Sequence, residues 1–221
     1  MQQILDNYLN LEIMREAFPE VLRGFWVTVQ ASIAVIIIGL ASGLALAICR
    51  CMRNAIIDCV ITSYVEIFRT LPQLVVLIFL YFGLPYMGLT LSPFFATVFG
   101  LSAVLSAFSA EIFWASIVAV PRGQWEAASA LGFKAWRTLT YIILPQAVRL
   151  ALPLVTNRSI AITKGTALGV ALSLQETLGS AQSIMSIKAN PSPLTLAAFF
   201  YLLFFIPLVA FSRYVERRFS H

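Results

Sequence analysis

Charge is scarce in this chain. Only 11% of its 221 residues are Asp, Glu, Lys or Arg, against about a quarter in soluble domains. That shortage excludes an ordinary soluble fold. Histidine is nearly absent: His221 at the C-terminus is the only one, so no His-based metal site or His-centred catalytic set is written in the chain. The three cysteines, Cys49, Cys51 and Cys59, are odd in number and crowd one predicted turn. They do not read as a disulfide framework and are small apolar residues here. No G-x-x-x-x-G-K-S/T stretch is present, so the chain has no phosphate-binding loop of its own. No cofactor motif, metal cluster or nucleophile–base set is visible, and the chain reads as a non-enzyme.

Apolar residues are abundant, at 60% of the total, with a mean hydropathy of +0.87. No charge falls between Arg23 and Arg50, between Arg69 and Glu111, or between Lys188 and Arg213. Each gap exceeds the roughly 20 helical residues that cross a bilayer. In hydrocarbon the backbone must satisfy its own hydrogen bonds, so these spans should be helices. Short alternating segments, the mark of a membrane barrel, do not occur. The expected fold is an all-α polytopic membrane protein with about five transmembrane helices, near residues 24–49, 56–84, 94–120, 147–172 and 194–211. A single permease-sized domain over 21–218 accounts for them. Residues 1–20 carry Asp6, Glu12, Glu16 and Glu20, unlike the basic start of a signal peptide. They read as an amphipathic helix on the membrane surface, with Leu5, Tyr8, Leu9, Leu11, Ile13 and Met14 toward lipid; a disordered tail is the alternative. Gly39 and Gly43 form a G-x-x-x-G pair, which lets another helix approach closely. Packing within the chain is the favoured use of it.

The net charge of +5 does not point to nucleic acid, because the cations sit at the ends of apolar spans. With the N-terminus outside, the cytoplasmic segments hold Arg50, Arg53, Arg122, Lys134, Arg137, Arg149, Arg213, Arg217 and Arg218. The other side holds Arg15, Arg23 and Lys188. Nine against three fits the positive-inside rule. It places the C-terminus and the stretch 121–145 in the cytoplasm.

That stretch is the unusual one. A charged, helix-forming insertion interrupts very apolar flanks. Pro121 suits a helix start and Gly132 a helix end, with good helix formers between. Two short helices should therefore project from the membrane. Trp125, Phe133 and Trp136 would then be aromatic anchors for a soluble partner; tryptophans lying at the headgroups are the alternative. The stretch contains Glu126-Ala127-Ala128, then three residues, Gly132, nine residues, Ile142, one residue, and Leu144-Pro145. This spacing resembles the cytoplasmic "EAA" coupling loop of permease subunits in bacterial ATP-binding-cassette importers. Val65-Glu66-Ile67-Phe68-Arg69-Thr70-Leu71-Pro72 and Tyr81-Phe82-Gly83-Leu84-Pro85 are similar to the second helix of the polar-amino-acid class. So are Ala110-Glu111-Ile112 and Val120-Pro121-Arg122-Gly123-Gln124-Trp125 to its third helix and loop.

The resemblance implies a bacterial inner-membrane subunit that takes up polar amino acids. It implies a second permease chain, identical or paralogous, a cytoplasmic ATPase dimer and an extracytoplasmic solute-binding protein, with no cofactor in the permease. Trp125, Glu126, Ala127, Ala128, Gly132, Leu144 and Pro145 would couple to the ATPase. Another small solute (an opine, an organic acid or an amine) is the nearest alternative. A standalone secondary transporter would need internal repeats, and none appear.

Charges inside spans are costly and face a cavity or a partner. Glu66 and Arg69 are three apart and share a helix face, so they form an ion pair or meet solute. Glu111 is expected to meet Arg69 or Arg158. Asn157, Arg158 and Lys164 are candidates for the translocation path. After Lys164 the resembled family commonly carries an Asp-Thr-Ser run ahead of a Glu-Leu pair; this chain has Gly165-Thr166-Ala167 and, later, Glu176-Thr177-Leu178. An acid that would neutralise Lys164 is missing.

Overall fold

The computed structural model describes residues 7–52 and 54–219. Leu5, Asp6, Arg53 and His221, all used in the sequence reading, lie outside them. Every element among the described residues is helical. Helix α1 spans Leu11–Arg50, α2 Ala55–Thr70 and α3 Gln73–Ile78. Helix α4 spans Pro93–Ala119, α5 Arg122–Ala130 and α6 Ala135–Thr138. Helix α7 spans Leu144–Thr163, α8 Thr177–Lys188 and α9 Ser192–Phe219. Four continuous stretches are long and apolar enough to cross a bilayer: Leu11–Arg50, Pro93–Ala119, Ala135–Leu172 and Ser192–Phe219. A fifth is the pair Ala55–Thr70 and Gln73–Met87, bent by 110°.

Three boundaries differ from the sequence reading. Residues 11–20 are not a separate surface element. They continue into the first span through Pro19 without a break. Asn10 starts this helix by accepting from the backbone N–H groups of Glu12 and Ile13, as an N-cap does. Ala17 and Val21 are buried against Ala181, Leu196, Ala197 and Phe200, and Glu16 pairs with Lys188. Met14 of the expected lipid-facing stripe packs with the same buried residues, so part of that stripe meets protein. Second, the span expected over 56–84 breaks at Leu71 and Pro72. The residue before a proline is driven out of the helical region, and Leu71 has ψ 136°. Third, the polar stretch after residue 172 contains α8, capped by the Glu176 carboxylate.

Helices α1 and α4 form the central contact of the bundle. Gly39 and Gly43 make it possible, within the chain as the spacing suggested. A methyl group at Gly43 would stand 2.0 Å from Ser109 Oγ and 2.8 Å from the Ser106 carbonyl. The close approach is used: Ser109 Oγ donates to the Gly39 carbonyl at 3.1 Å. Replacing Gly43 by Leu must push the two helices apart. We expect a stability loss of about 1–3 kcal/mol or more, typical of overpacked cores. Gly83→Ala, whose new methyl would meet its nearest neighbour at 3.7 Å, should unfold with the unmodified chain. Thermal unfolding of the two variants in detergent checks the contrast.

Candidate coupling surface and membrane charges

The polar insertion folds as two short helices joined by a tight turn. Helix α5 ends in a Schellman arrangement, with Gly132 N–H donating to Ser129 O at 2.9 Å and Phe133 N–H to Ala128 O at 3.0 Å. Gly132 has φ 80° and open space where a Cβ would stand. Its lack of a side chain is therefore demanded by the backbone conformation and not by crowding. Ala128 is 2% exposed while Ala127 is exposed. The second alanine is small because α5 lies on the bundle there. Leu144 and Pro145 open α7 directly after a wide π-helical turn over Leu139–Ile143. Proline has no N–H to offer the regular helix ladder, and such turns are a recognised way to accommodate that break. Ile143 is fully buried, and Leu139, Ala147 and Val155 join it in a core with Phe113 and Ile117.

The aromatic residues divide. Trp125 is half-buried and packs on this core beside Trp114, so it is an anchor toward the bundle. Phe133, Trp136 and Leu131 are exposed. Glu126 is exposed and has no ion pair among the described residues. A cavity of about 840 Å³ lies between the insertion and the bundle, and Glu126 and Trp136 line it together with Arg50, Trp114 and Trp125. The insertion is thus held at its base, with Leu131 and Phe133 exposed away from this cavity.

The expected meeting of Glu111 with Arg69 or Arg158 does not occur. Glu111 pairs with Arg50 at 3.4 Å, and Asp58 takes the same guanidinium at 2.8 Å. Arg50 also lies over the Trp114 ring at 4.6 Å. Glu111 sits on the later part of α4, one turn before Trp114, and this brings it to the end of α1. Glu66 and Arg69 do pair, loosely, at 3.9 Å. Arg69 and Arg158 both lie over the ring of Phe108, at 5.6 and 3.9 Å. Lys164 stands over Phe205 at 5.7 Å. Asn157 is exposed on α7.

Gly165 is buried, and the space where its side chain would project is taken by the Gln73 amide. A Cβ there would stand 2.1 Å from Gln73 Oε1. The departure at this position is therefore built into the packing of α3 against the end of the fourth span.

One buried group had no role in the sequence reading. Glu176 has no exposed surface. Its Oε1 accepts from the N–H groups of Leu178 and Gly179 at 2.7 and 3.0 Å. Its Oε2 accepts from Thr28 Oγ1 at 2.9 Å and Tyr201 Oη at 2.5 Å. Burial pushes this carboxyl above the ordinary range, and the hydrogen bonds from Tyr201, Gly179, Thr28 and Leu178 pull it partly back. The one carboxylate joins α1, α8 and α9. Its signal in the sequence is isolation, as the sole charge between Lys164 and Lys188.

The described residues form a helical bundle from which an exposed helix pair projects. The family model described as "Binding-protein-dependent transport system inner membrane component" matches residues 36–221, and the chain belongs to that family. It is 32% identical over 213 residues to the probable amino-acid ABC transporter permease protein YckA of Bacillus subtilis (strain 168), covering 96% of this chain and 94% of that one. It is 33% identical over 215 residues to the probable glutamine ABC transporter permease protein GlnM of the same organism, covering 95% and 98%. Among solved structures it is similar to an amino acid ABC transporter crystallised with histidines. The TM-score is 0.83 at 30% identity, over 93% of this chain and 96% of that one. The family supplies the membrane passage and not the ATPase.

Proposed function

We propose that this chain is the permease subunit of an ATP-driven importer that carries polar amino acids across the bacterial inner membrane. The observation that carries the reading is the exposed, rigidly ended helix α5, with a free carboxylate at Glu126 and apolar side chains at Leu131, Phe133 and Trp136 beside it. A short helix of this kind transmits movement without deforming. Its exposed side chains are the contact for a cytoplasmic ATP-binding-cassette dimer, with Glu126, on the cavity side, accepting charge-assisted hydrogen bonds. Ala127 borders that contact. Trp125, Ala128, Leu144 and Pro145 fix the base of the insertion, and Gly132 sets its turn. A second permease chain completes the passage and an extracytoplasmic binding protein delivers the solute. The amino-acid class is favoured by the names of the relatives and the solved structure.

The chain enters from outside and ends in the cytoplasm. Asn10 and Ser192 are hydrogen-bonded, so α1 and α9 start at the same face of the bundle. Both run toward the end that carries Arg50, the insertion and the basic tail Arg213, Arg217 and Arg218. Cations gathered at that end favour the cytoplasmic side.

The test is purification of the tagged chain from native membranes in mild detergent, with mass spectrometry of its companions. An ATPase at equal stoichiometry is the expected result, and the permeases recovered tell an identical pair from a mixed one. A chain that emerges alone, even after crosslinking, would sink the reading.

A further inference from the structure

Arg158 lacks an ion-pair partner among the described residues, and it lies deep in a span. Phe108, whose ring it covers, is the sixteenth of the 27 residues of α4. The stretch carrying Arg158, Ala135–Leu172, is itself long and apolar enough to cross. An isolated guanidinium at such depth is costly and calls for a cavity or a counter-charge. The face of a phenyl ring returns less than that cost. Arg69 approaches the same ring, and the two separations place the guanidinium carbons within about 9.5 Å of each other. Like charges this close raise the demand for an anion. Glu66 answers only in part: it reaches Arg69 loosely, at 3.9 Å, and its side chain stays 66% exposed.

The backbone allows access here. The 110° bend between α2 and α3 begins just after Arg69, at Leu71 and Pro72. Irregular backbone at membrane depth is tolerated where it is buried in protein or lines a watery cavity. Arg69 and Glu66 are both exposed, Arg158 and Phe108 half-exposed. The group is thus a reachable cluster of two guanidiniums, one carboxylate and one aromatic platform.

We infer that Arg69, Arg158, Phe108 and Glu66 form the solute site within the bilayer, and that it selects an acidic amino acid. This rests on the permease reading above and narrows its solute class. The charges match group for group. Two guanidiniums take two carboxylates, for which their planar forks are suited, and Glu66 takes the amine. The site carries a net charge of +1 and the solute −1. A zwitterion such as glutamine leaves one guanidinium unanswered. A cationic amino acid sets a like charge against it.

The experiment uses the intact complex, the chain with its co-purifying permease and ATPase partners, in lipid nanodiscs without binding protein. Equilibrium binding is measured with radiolabelled L-glutamate, L-glutamine and L-lysine. We expect L-glutamate to bind at least tenfold more tightly than L-glutamine, and L-lysine not to compete. Arg158→Gln should weaken L-glutamate at least tenfold and narrow its advantage over L-glutamine to less than threefold. Equal or tighter binding of L-glutamine or L-lysine overturns the inference, as does absence of binding by all three. So does an Arg158→Gln complex that binds L-glutamate unchanged. Dissociation of the permease pair in that variant, read by size-exclusion chromatography, would assign Arg158 to subunit contact and overturn it too. ATP hydrolysis by the same preparation reports on the permease reading separately, so the two can fail independently.

Discussion

Glu126→Lys is expected to abolish ATP-driven uptake while leaving the chain folded and in the membrane. The side chain is exposed and unpaired within the described residues, so its loss removes nothing from the fold. Truncating one member of a hydrogen-bonded charge pair at an interface costs about 2–5 kcal/mol, which is roughly 30-fold or more in affinity. Reversing the charge adds repulsion. The ATPase should therefore fall away on purification, and uptake with it. Glu126→Gln keeps the shape and one acceptor, so it should retain part of both. The measurements are co-purification of the ATPase and solute uptake by cells, with the amount of chain in the membrane as control. Full uptake by the lysine variant would remove Glu126 from the contact and weaken the case for α5 as the coupling helix.

The second large effect is expected at Glu176. Replacing it with Leu removes the cap of α8, a loss of about 0.5–2 kcal/mol. It also takes the acceptor from Tyr201 Oη, whereas Thr28 Oγ1 keeps the Gly24 carbonyl and Thr177 Oγ1; a buried group left without a partner costs about 1–3 kcal/mol. Together these come to several kcal/mol. At the roughly 2–4 °C per kcal/mol typical of chains this size, unfolding should occur about 10 °C lower or more. Glu176→Gln retains one carbonyl acceptor and should lose less. Tyr201→Phe removes a single donor and should lose least. Thermal unfolding of the three variants in one detergent gives the order. A leucine variant that unfolds within two degrees of the unmodified chain would show that the three helices hold without this carboxylate.

The two positions differ in how they could be found. Glu126 was legible because its environment is local. The turn at Gly132, the paired alanines and the helix-forming run lie within seven residues of it. Their spacing is fixed by backbone geometry that any such sequence must obey. Glu176 was only visible as an isolated acid, because its partners Thr28 and Tyr201 come from α1 and α9, 148 and 25 residues away. Trp125 shows the same limit at short range. Its aromatic character was evident, but its facing toward the bundle depends on how α5 lies on Phe113, Ile117 and Leu139. The bend in the second span was written at Pro72, yet its 110° angle depends on the packing of α3 against α4 and the end of the fourth span.

By itself the sequence determined that this is a helical membrane protein, where most of its spans run, and that a polar helix pair projects from one side. These follow from transfer of apolar side chains into hydrocarbon, from backbone hydrogen bonding without water, and from turn residues. All act over a few residues or one span. Only the tertiary structure decided which charges meet. Glu111 goes to Arg50, Glu176 to Thr28 and Tyr201, and Arg69 and Arg158 to one ring. Such pairings depend on how each helix is rotated and how deep it sits. Those are settled by close packing across the bundle, as where Gly43 leaves no room for a side chain beside Ser109, and hydropathy along the chain carries no record of them.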